Sequence, residues 1–151
     1  MATITRSNTI ARPPDEVFAY LDDLEAHREW QDAVDTIEVV TDGPTRVGTE
    51  VRETRVVGGN RRIEMRWRVT EHDPSTRRSA FETIESKMMK PSGVISVASV
   101  GDGSEVTFSM DTNPVGFGKL LAPLMNRDVG KTIEGDLARL KQRLEQQGGG
   151  A

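Results

Sequence analysis

Two charged residues on one face of a predicted strand are the residues of this sequence best suited to chemistry. The segment TEVRETRVV places Glu53 and Arg55 two positions apart, so both side chains point to the same side of a strand. Val51 and Val57 share that side, which predicts that it faces the interior. A carboxylate and a guanidinium buried together should pair, because an isolated buried charge is too costly. The paired arginine can then orient a ligand carbonyl or carboxylate. The alternatives are a pair at an open mouth and a simple surface pair.

The two histidines complete neither a catalytic triad nor a metal site in the sequence. His27 and His72 have no suitably spaced partners for nucleophilic catalysis or for zinc. We therefore expect surface or capping histidines, with a place for His27 at a pocket mouth as the alternative. The sequence also has no phosphate loop, no dinucleotide fingerprint and no nucleophile elbow. It predicts no metal and no cofactor.

Large apolar side chains that could form the wall of a binding pocket recur on several predicted strands and on the last helix. Methionine is flexible and polarisable, so a wall that contains it adapts to varied apolar ligands. The alternative is that these residues fill an ordinary core. The tryptophan after the first helix either lines the pocket or only wedges the helical segment in place. The candidate ligand-binding residues are Trp30, Met65, Trp67, Phe81, Phe108, Met110, Leu121, Leu124 and Met125.

Composition narrows the class of protein. The chain has 151 residues, which fits one domain, predicted at residues 1–147 with a flexible tail at 148–151. A net charge of -4 argues against a nucleic-acid binder and against a polybasic membrane anchor. No cysteine is present, which excludes disulfides and thiolate metal sites. With no apolar run of spanning length, we expect no membrane insertion and a cytoplasmic location. The sequence sets no oligomeric state.

The predicted elements begin with a strand and two short helices. Residues 3–11 alternate between polar and apolar types, which predicts a strand. Pro13 and Pro14 end this strand and suit the start of a helix. A second short helix or turn follows and ends at Trp30.

The middle of the chain is predicted to be an antiparallel sheet. The segment at residues 61–72 alternates most clearly, with Met65, Trp67 and Val69 on one face and arginines on the other. Gly58, Gly59 and Asn60 before it predict a hairpin turn. Further strands are predicted at residues 34–41, 49–57, 77–87, 93–100 and 104–112.

The last quarter of the chain has the periodicity of a helix. Apolar residues recur at helical spacing, and Pro123 either starts the helix or kinks it. Gly130 and Gly135 are costly in a helix interior, so we expect them to permit close packing on the sheet. The stripe consists of Ile133, Leu137, Leu140 and Leu144. The element order predicts an α+β fold whose antiparallel sheet is covered by this helix.

At this point the sequence resembles the SRPBCC or START-like superfamily, which has the helix-grip fold also found in Bet v 1 allergens. The bacterial polyketide cyclase/dehydrase-like group is the most similar. The resemblance is carried by NTIARPPDEVFAYLDDLEAHREWQ, RVGTEVRET, VTEHDPSTR and LARLKQRLEQ, and it extends over about residues 3–145.

The resemblance implies a curved antiparallel sheet of about seven strands wrapped around the last helix, with the two short helices closing one end of a cavity. It implies binding of a hydrophobic or aromatic small molecule in that cavity. One alternative is a polyketide cyclase/dehydrase-like enzyme, with Glu53 as base and Arg55 as oxyanion stabiliser. Another is a cochaperone-like protein-interaction module, which would have a filled core.

Overall fold

A seven-stranded antiparallel sheet curls as a half-barrel around a long C-terminal helix in the computed structural model. The structure describes residues 3–57 and 59–149. This architecture confirms the predicted α+β helix-grip fold. The strands are β1 (Thr3–Ile10), β2 (Val34–Val39), β3 (Glu50–Val57), β4 (Arg61–Asp73), β5 (Arg78–Glu85), β6 (Ser92–Val100) and β7 (Gly103–Asp111). The helices are α1 (Pro14–Asp22), α2 (His27–Trp30) and α3 (Ala122–Gly149), and 3₁₀ turns lie at Leu24–Ala26 and Gly116–Lys119.

The sheet has the order β1-β7-β6-β5-β4-β3-β2, so the chain's first two strands form its two edges. The register between β4 and β5 shifts twice, between Arg66 and Trp67 and between Val69 and Glu71. Such bulges bend a strand and increase its twist. They therefore account in part for a sheet that curves enough to grip a helix.

Alternation on β3 and β4 sets the concave face of the sheet. Val51 lies opposite Trp67 and Glu53 lies opposite Met65. Cross-strand partners share a face of the sheet, so the acidic and the basic candidate of β3 lie beside the apolar wall of β4. The inward orientation of Val51 and Glu53 agrees with the sequence prediction, since both are buried.

The helical cap follows from the two prolines. Pro13 is extended and serves as N-cap, and Pro14 is the first residue of α1. A proline is tolerated there because the first N–H groups of a helix have no intrahelical acceptor. Val17, Phe18 and Leu21 are buried on the inner face of α1.

The C-terminal half of α3 packs on the sheet, whereas its first turns do not. All four residues of the predicted apolar stripe are buried. Gly130 lies against β1, where a Cβ would come within 2.8 Å of Nη2 of Arg6 and 3.7 Å of Cγ2 of Ile4. The same prediction for Gly135 is wrong, because the nearest atoms to a Cβ there belong to Arg139 at 3.8 Å. Pro123 lies in the first turn, so it starts the helix and does not kink it. The first turns of α3 stand away from the sheet and leave a cavity beneath them.

The predicted ends of the elements differ from the observed ones by a few residues. α3 continues to Gly149, so the predicted tail at 148–151 begins inside the helix. Residues 150–151 lie outside the described residues, as does Gly58 of the predicted hairpin. Gly59 of that hairpin has a φ of +90°, a conformation that suits glycine.

Candidate functional site

An internal cavity of about 840 Å³ lies between the concave face of the sheet, the α1–α2 segment and α3. This volume is in the range of small-molecule sites. Its wall is largely apolar, with a group of polar side chains among the lining residues. Eight of the nine candidate ligand-binding residues line it: Trp30, Met65, Trp67, Phe81, Phe108, Met110, Leu121 and Met125.

Aromatic rings form a row across the sheet side of the cavity. The ring centroids of Trp67 and Phe81 are 5.6 Å apart, and those of Phe81 and Phe108 are 6.3 Å apart. Both pairs are tilted or edge-on, which is a favourable arrangement of aromatic quadrupoles. Trp67 and Phe81 lie on the paired strands β4 and β5. Phe81 reaches Phe108 of β7 across Gly93 of β6, where a Cβ would lie 2.9 Å from Cε1 of Phe81.

Leu124 is the one candidate wall residue that the structure places elsewhere. Its side chain is 62% exposed, and it does not line the cavity. Leu121 and Met125, four residues apart, both face the cavity. Successive helical residues are rotated by about 100°, so Leu124 points away from the side that Met125 occupies. The prediction for Leu124 is therefore wrong.

Trp30 both lines the cavity and fixes the helical cap. The residue is 2% exposed and belongs to the core cluster that joins α1, β1 and α3. Its carbonyl accepts a hydrogen bond of 3.0 Å from Nε of Arg139 on α3. The sequence offered lining of the pocket and wedging of the helical segment as alternatives for this tryptophan, and in the structure it does both.

Glu53 and Arg55 meet at the cavity wall. Nη1 of Arg55 lies 3.6 Å from Oε1 of Glu53, and their side chains are 18% and 8% exposed. The same Nη1 donates a hydrogen bond of 3.0 Å to Oε1 of Gln31. Burial raises the pKa of the Glu53 carboxyl above its ordinary value, although the charge of Arg55 and the indole of Trp67 partly oppose this shift. The pair is thus desolvated, and Arg55 is shared between two partners.

His27 is not a surface histidine, which corrects the sequence interpretation. Its ring lines the cavity, 5.3 Å from the ring of Trp30 and stacked at 6.3 Å on that of Trp67. Burial lowers its pKa to about 4, opposed by the hydrogen bond to Leu21. The α2 segment is only four residues long, too short to show a buried face as a periodic pattern.

The hydrogen bonds of His27 define its tautomer. Nε2 donates to the carbonyl of Leu21 at 3.0 Å, since a carbonyl can only accept. Nδ1 of the neutral ring then accepts from Nε2 of Gln31 at 3.5 Å. Because Gln31 also accepts from Arg55, a one-directional chain runs from Arg55 through Gln31 and His27 to Leu21.

Sequence reasoning missed a second ion pair, on α3. Asp136 is buried and accepts a hydrogen bond of 2.5 Å from Nη2 of Arg139, and both residues line the cavity. Burial raises the pKa of Asp136, and the hydrogen bond from Arg139 and the charge of Arg55 oppose this. Asp136 lies three residues after Ile133 and directly before Leu137, on the face of the apolar stripe. An acidic residue on a face that is predicted to be buried was the signal in the sequence that could have identified it.

The polar group at the cavity therefore combines two carboxyl groups, two guanidinium groups, an amide and a neutral imidazole. We call it the polar cluster. Its members are His27, Gln31, Glu53, Arg55, Asp136 and Arg139, and all of them line the cavity.

The other histidine lies outside this cluster. Nε2 of His72 is 2.8 Å from Oδ1 of Asp22, which ties β4 to the end of α1. In residues 3–57 and 59–149, no group of three or more potential metal ligands occurs. No helix in those ranges is both long and apolar enough to cross a membrane.

The curled sheet, the gripped helix and the cavity between them define a ligand-binding fold of the START-like class. The chain belongs to the family described as polyketide cyclase/dehydrase and lipid transport, whose model matches residues 1–145. This confirms the resemblance found in the sequence. A search of curated proteins found no significant match.

Solved structures with the same fold cover almost the whole chain. A protein from Thermus thermophilus is 22% identical with a TM-score of 0.84, over 97% of this chain and 99% of its own. An aromatase/cyclase from Streptomyces is 18% identical with a TM-score of 0.81, over 97% and 94%. A START superfamily protein from Mycobacterium smegmatis is 15% identical with a TM-score of 0.78, over 96% and 98%. At such identities the likeness shows the fold alone.

Proposed function

We propose that this protein binds a hydrophobic or aromatic small molecule in the internal cavity. The observation that carries the proposal is the row of Trp67, Phe81 and Phe108 along a cavity of about 840 Å³ that also holds the polar cluster. Small-molecule sites combine apolar walls with a few placed polar groups in this way. Proteins of this fold family typically bind hydrophobic small molecules, which supports the proposal.

The polar cluster indicates which part of the ligand is polar. Arg55 donates one hydrogen bond to Gln31 and lies 3.6 Å from Glu53. A guanidinium has five N–H donors, so others remain for an acceptor on the ligand. A carbonyl, phenol or carboxylate at one end of an otherwise apolar molecule would meet these donors. The apolar body would then extend along the aromatic row toward Leu121 and Met125.

Intrinsic fluorescence offers a direct test, because the chain's two tryptophans, Trp30 and Trp67, both line the cavity. We would titrate the protein with 1,8-dihydroxyanthraquinone and with palmitate and follow tryptophan emission. Native and denaturing mass spectrometry of the purified protein would report any co-purified ligand. We expect saturable quenching by at least one of the two probes.

Gly135 provides the matched pair of variants for this test. It lines the cavity, and the nearest atoms to an added Cβ belong to Arg139 at 3.8 Å, so a larger side chain would extend into free space. Gly135→Leu should therefore weaken probe binding at least tenfold, whereas Gly135→Ala should leave it nearly unchanged. Equal affinities for the wild type and Gly135→Leu would contradict binding in this cavity.

A cyclase/dehydrase-like enzyme is the second candidate, and Glu53 is the observation that favours it. A carboxyl whose pKa is raised toward neutrality is a better general base than an ordinary one. Glu53 would act as base and Arg55 would stabilise the oxyanion. With a poly-β-ketone thioester as substrate, Glu53→Gln should abolish turnover while binding persists. Retained turnover would exclude this role.

The interaction-module alternative is weaker, because it predicted a filled core and the structure contains a cavity. The cytoplasmic location and the lack of a cofactor stay predictions from the sequence.

A further inference from the structure

Large apolar side chains stand exposed at the end of the cavity where α3 begins. Phe117 is 78% exposed and Leu120 is 77% exposed, both on or next to the 3₁₀ turn before the helix. Leu121 and Leu124 in the adjoining turn are exposed as well. We call these four residues the apolar rim. Leu121 also lines the cavity, so the rim borders the cavity itself.

The backbone under the apolar rim is fixed to the segment that connects β5 and β6. The N–H of Val115 donates to the carbonyl of Met88 at 3.0 Å, and the N–H of Lys90 donates to the carbonyl of Asn113 at 3.0 Å. Gly118 is buried, and a Cβ there would lie 1.9 Å from the same Met88 carbonyl. The exposure of Phe117 and Leu120 is therefore imposed by a tightly packed turn beneath them.

The chain segments that carry and support the apolar rim are rich in cations. Residues 86–93 and 113–131 carry Lys87, Lys90, Lys119, Arg127 and Lys131 against a single acid, Asp128. All five are exposed, and within the described parts of the chain none lies in an ion pair. The rest of the chain is acidic, with 15 cations against 23 acids, because 5 of its 20 cations and 1 of its 24 acids lie in these segments.

We infer that the apolar rim and its cations dock this protein on an anionic lipid membrane. Interfacial binding combines apolar side chains that enter the headgroup region with basic residues that meet anionic lipids. The arrangement favours an anionic lipid surface because exposed apolar side chains and exposed cations occur together at one end of the cavity. The surface lies outside the cavity wall at Phe117 and Leu120, so the inference does not depend on what the cavity binds.

Flotation of the full chain with lipid vesicles tests the inference. We would compare phosphatidylcholine vesicles with and without phosphatidylglycerol, at low and high salt. The wild type should float with the anionic vesicles only, and less so at high salt. Phe117→Ser with Leu120→Ser should lower the partition coefficient by roughly tenfold or more. Lys90→Glu with Lys119→Glu should have an effect of similar size.

Two double variants elsewhere serve as controls. Val40→Ser with Val47→Ser removes two other exposed apolar side chains, and Arg28→Glu with Arg143→Glu makes the same charge change on other exposed residues. Both should float as the wild type does. Binding of whichever of the two probes quenches the wild type should survive in the Phe117→Ser, Leu120→Ser protein, which separates membrane docking from ligand binding.

Four results would overturn the inference: no flotation, flotation independent of phosphatidylglycerol, equal losses in the control variants, or a wild-type dimer that the Phe117→Ser, Leu120→Ser change dissociates. The last result would assign the apolar rim to self-association instead.

Discussion

The two faces of β3 and β4 carry the same residue types in opposite surroundings. On the convex face, Arg68 lies 2.5 Å from Glu82, and Arg52 lies 4.0 Å from Glu38, with all four side chains well exposed. On the concave face, Arg55 lies 3.6 Å from a buried Glu53. Exposed pairs contribute about 0–1 kcal/mol to stability, because water and salt screen them. A buried pair is costly to break, since it leaves a charge without a partner. Burial, more than distance, decides which pair matters.

Removal of Arg55 should produce the largest difference between the faces. We expect Arg55→Met to lower the free energy of unfolding at pH 7 by about 3 kcal/mol, because Glu53 stays buried without its cation. The matched convex variant, Arg68→Met, should cost less than about 1 kcal/mol. Urea denaturation of both variants measures the difference. Addition of Glu53→Gln to Arg55→Met should recover most of the loss, and equal losses in the two single variants would refute the comparison.

The pH dependence of stability should identify His27 as a buried residue that lines the cavity opposite the concave face. Its pKa is about 4 in the folded state against 6.5 for a free histidine. Between these values the unfolded state binds the proton and the folded state does not, so stability decreases as the pH falls. The loss should reach about 2 kcal/mol at pH 5. His27→Gln should remove this component of the slope in urea titrations at several pH values. An unchanged slope would place the ring in water.

Glu53 should act in the opposite sense over part of the same range. A folded-state pKa above the ordinary glutamate value of 4.5 means that the unfolded state loses the proton first. Stability then decreases as the pH rises from that value through the folded-state pKa. We would compare His27→Gln with the double variant His27→Gln, Glu53→Gln, in which this decrease should be smaller. The pKa of Asp136 is also raised, but Asp136 is present in both proteins and does not affect the difference. A stability that increased over this range in the Glu53 protein would show that Arg55 outweighs burial.

The smallest effect is expected on the convex face. A double-mutant cycle with Arg68→Met and Glu82→Gln should give a coupling energy below about 1 kcal/mol, vanishing in high salt. A larger coupling that resists salt would mean that the convex pairs are structural and not merely solvated.

Much of the concave face followed from periodicity. Val51 and Val57 indicated the side of β3 that turns inward, and the alternation of β4 gave the side of Met65 and Trp67. Both inferences hold because side chains alternate strictly along a strand. The same logic on α3 predicted the buried stripe, whereas Leu124, which was assigned to the wall as part of an apolar cluster outside that stripe, is exposed.

Other features depended on contacts between distant segments. The ring of His27 stacks on that of Trp67, 40 positions further along the chain. Burial raises the pKa of Asp136 on α3, and the charge of Arg55, on β3, acts against this effect. The cations of the apolar rim come together because the bridge between Met89 and Pro114 joins two segments that are distant in the sequence. No local pattern encodes such neighbours.

The sequence by itself determined the order of the elements and the inward side of each regular strand, because these depend on local propensity and on the period of apolar residues. Its resemblance to a known family indicated the family. Only the tertiary structure decided that apolar residues enclose a cavity and do not fill a core. The same apolar pattern suits both outcomes, and the choice depends on how far the curved sheet stands from the first turns of α3. The burial of His27 and Asp136 was likewise decided by the tertiary structure, since His27 stacks on Trp67 and Asp136 lies in the charge field of Arg55.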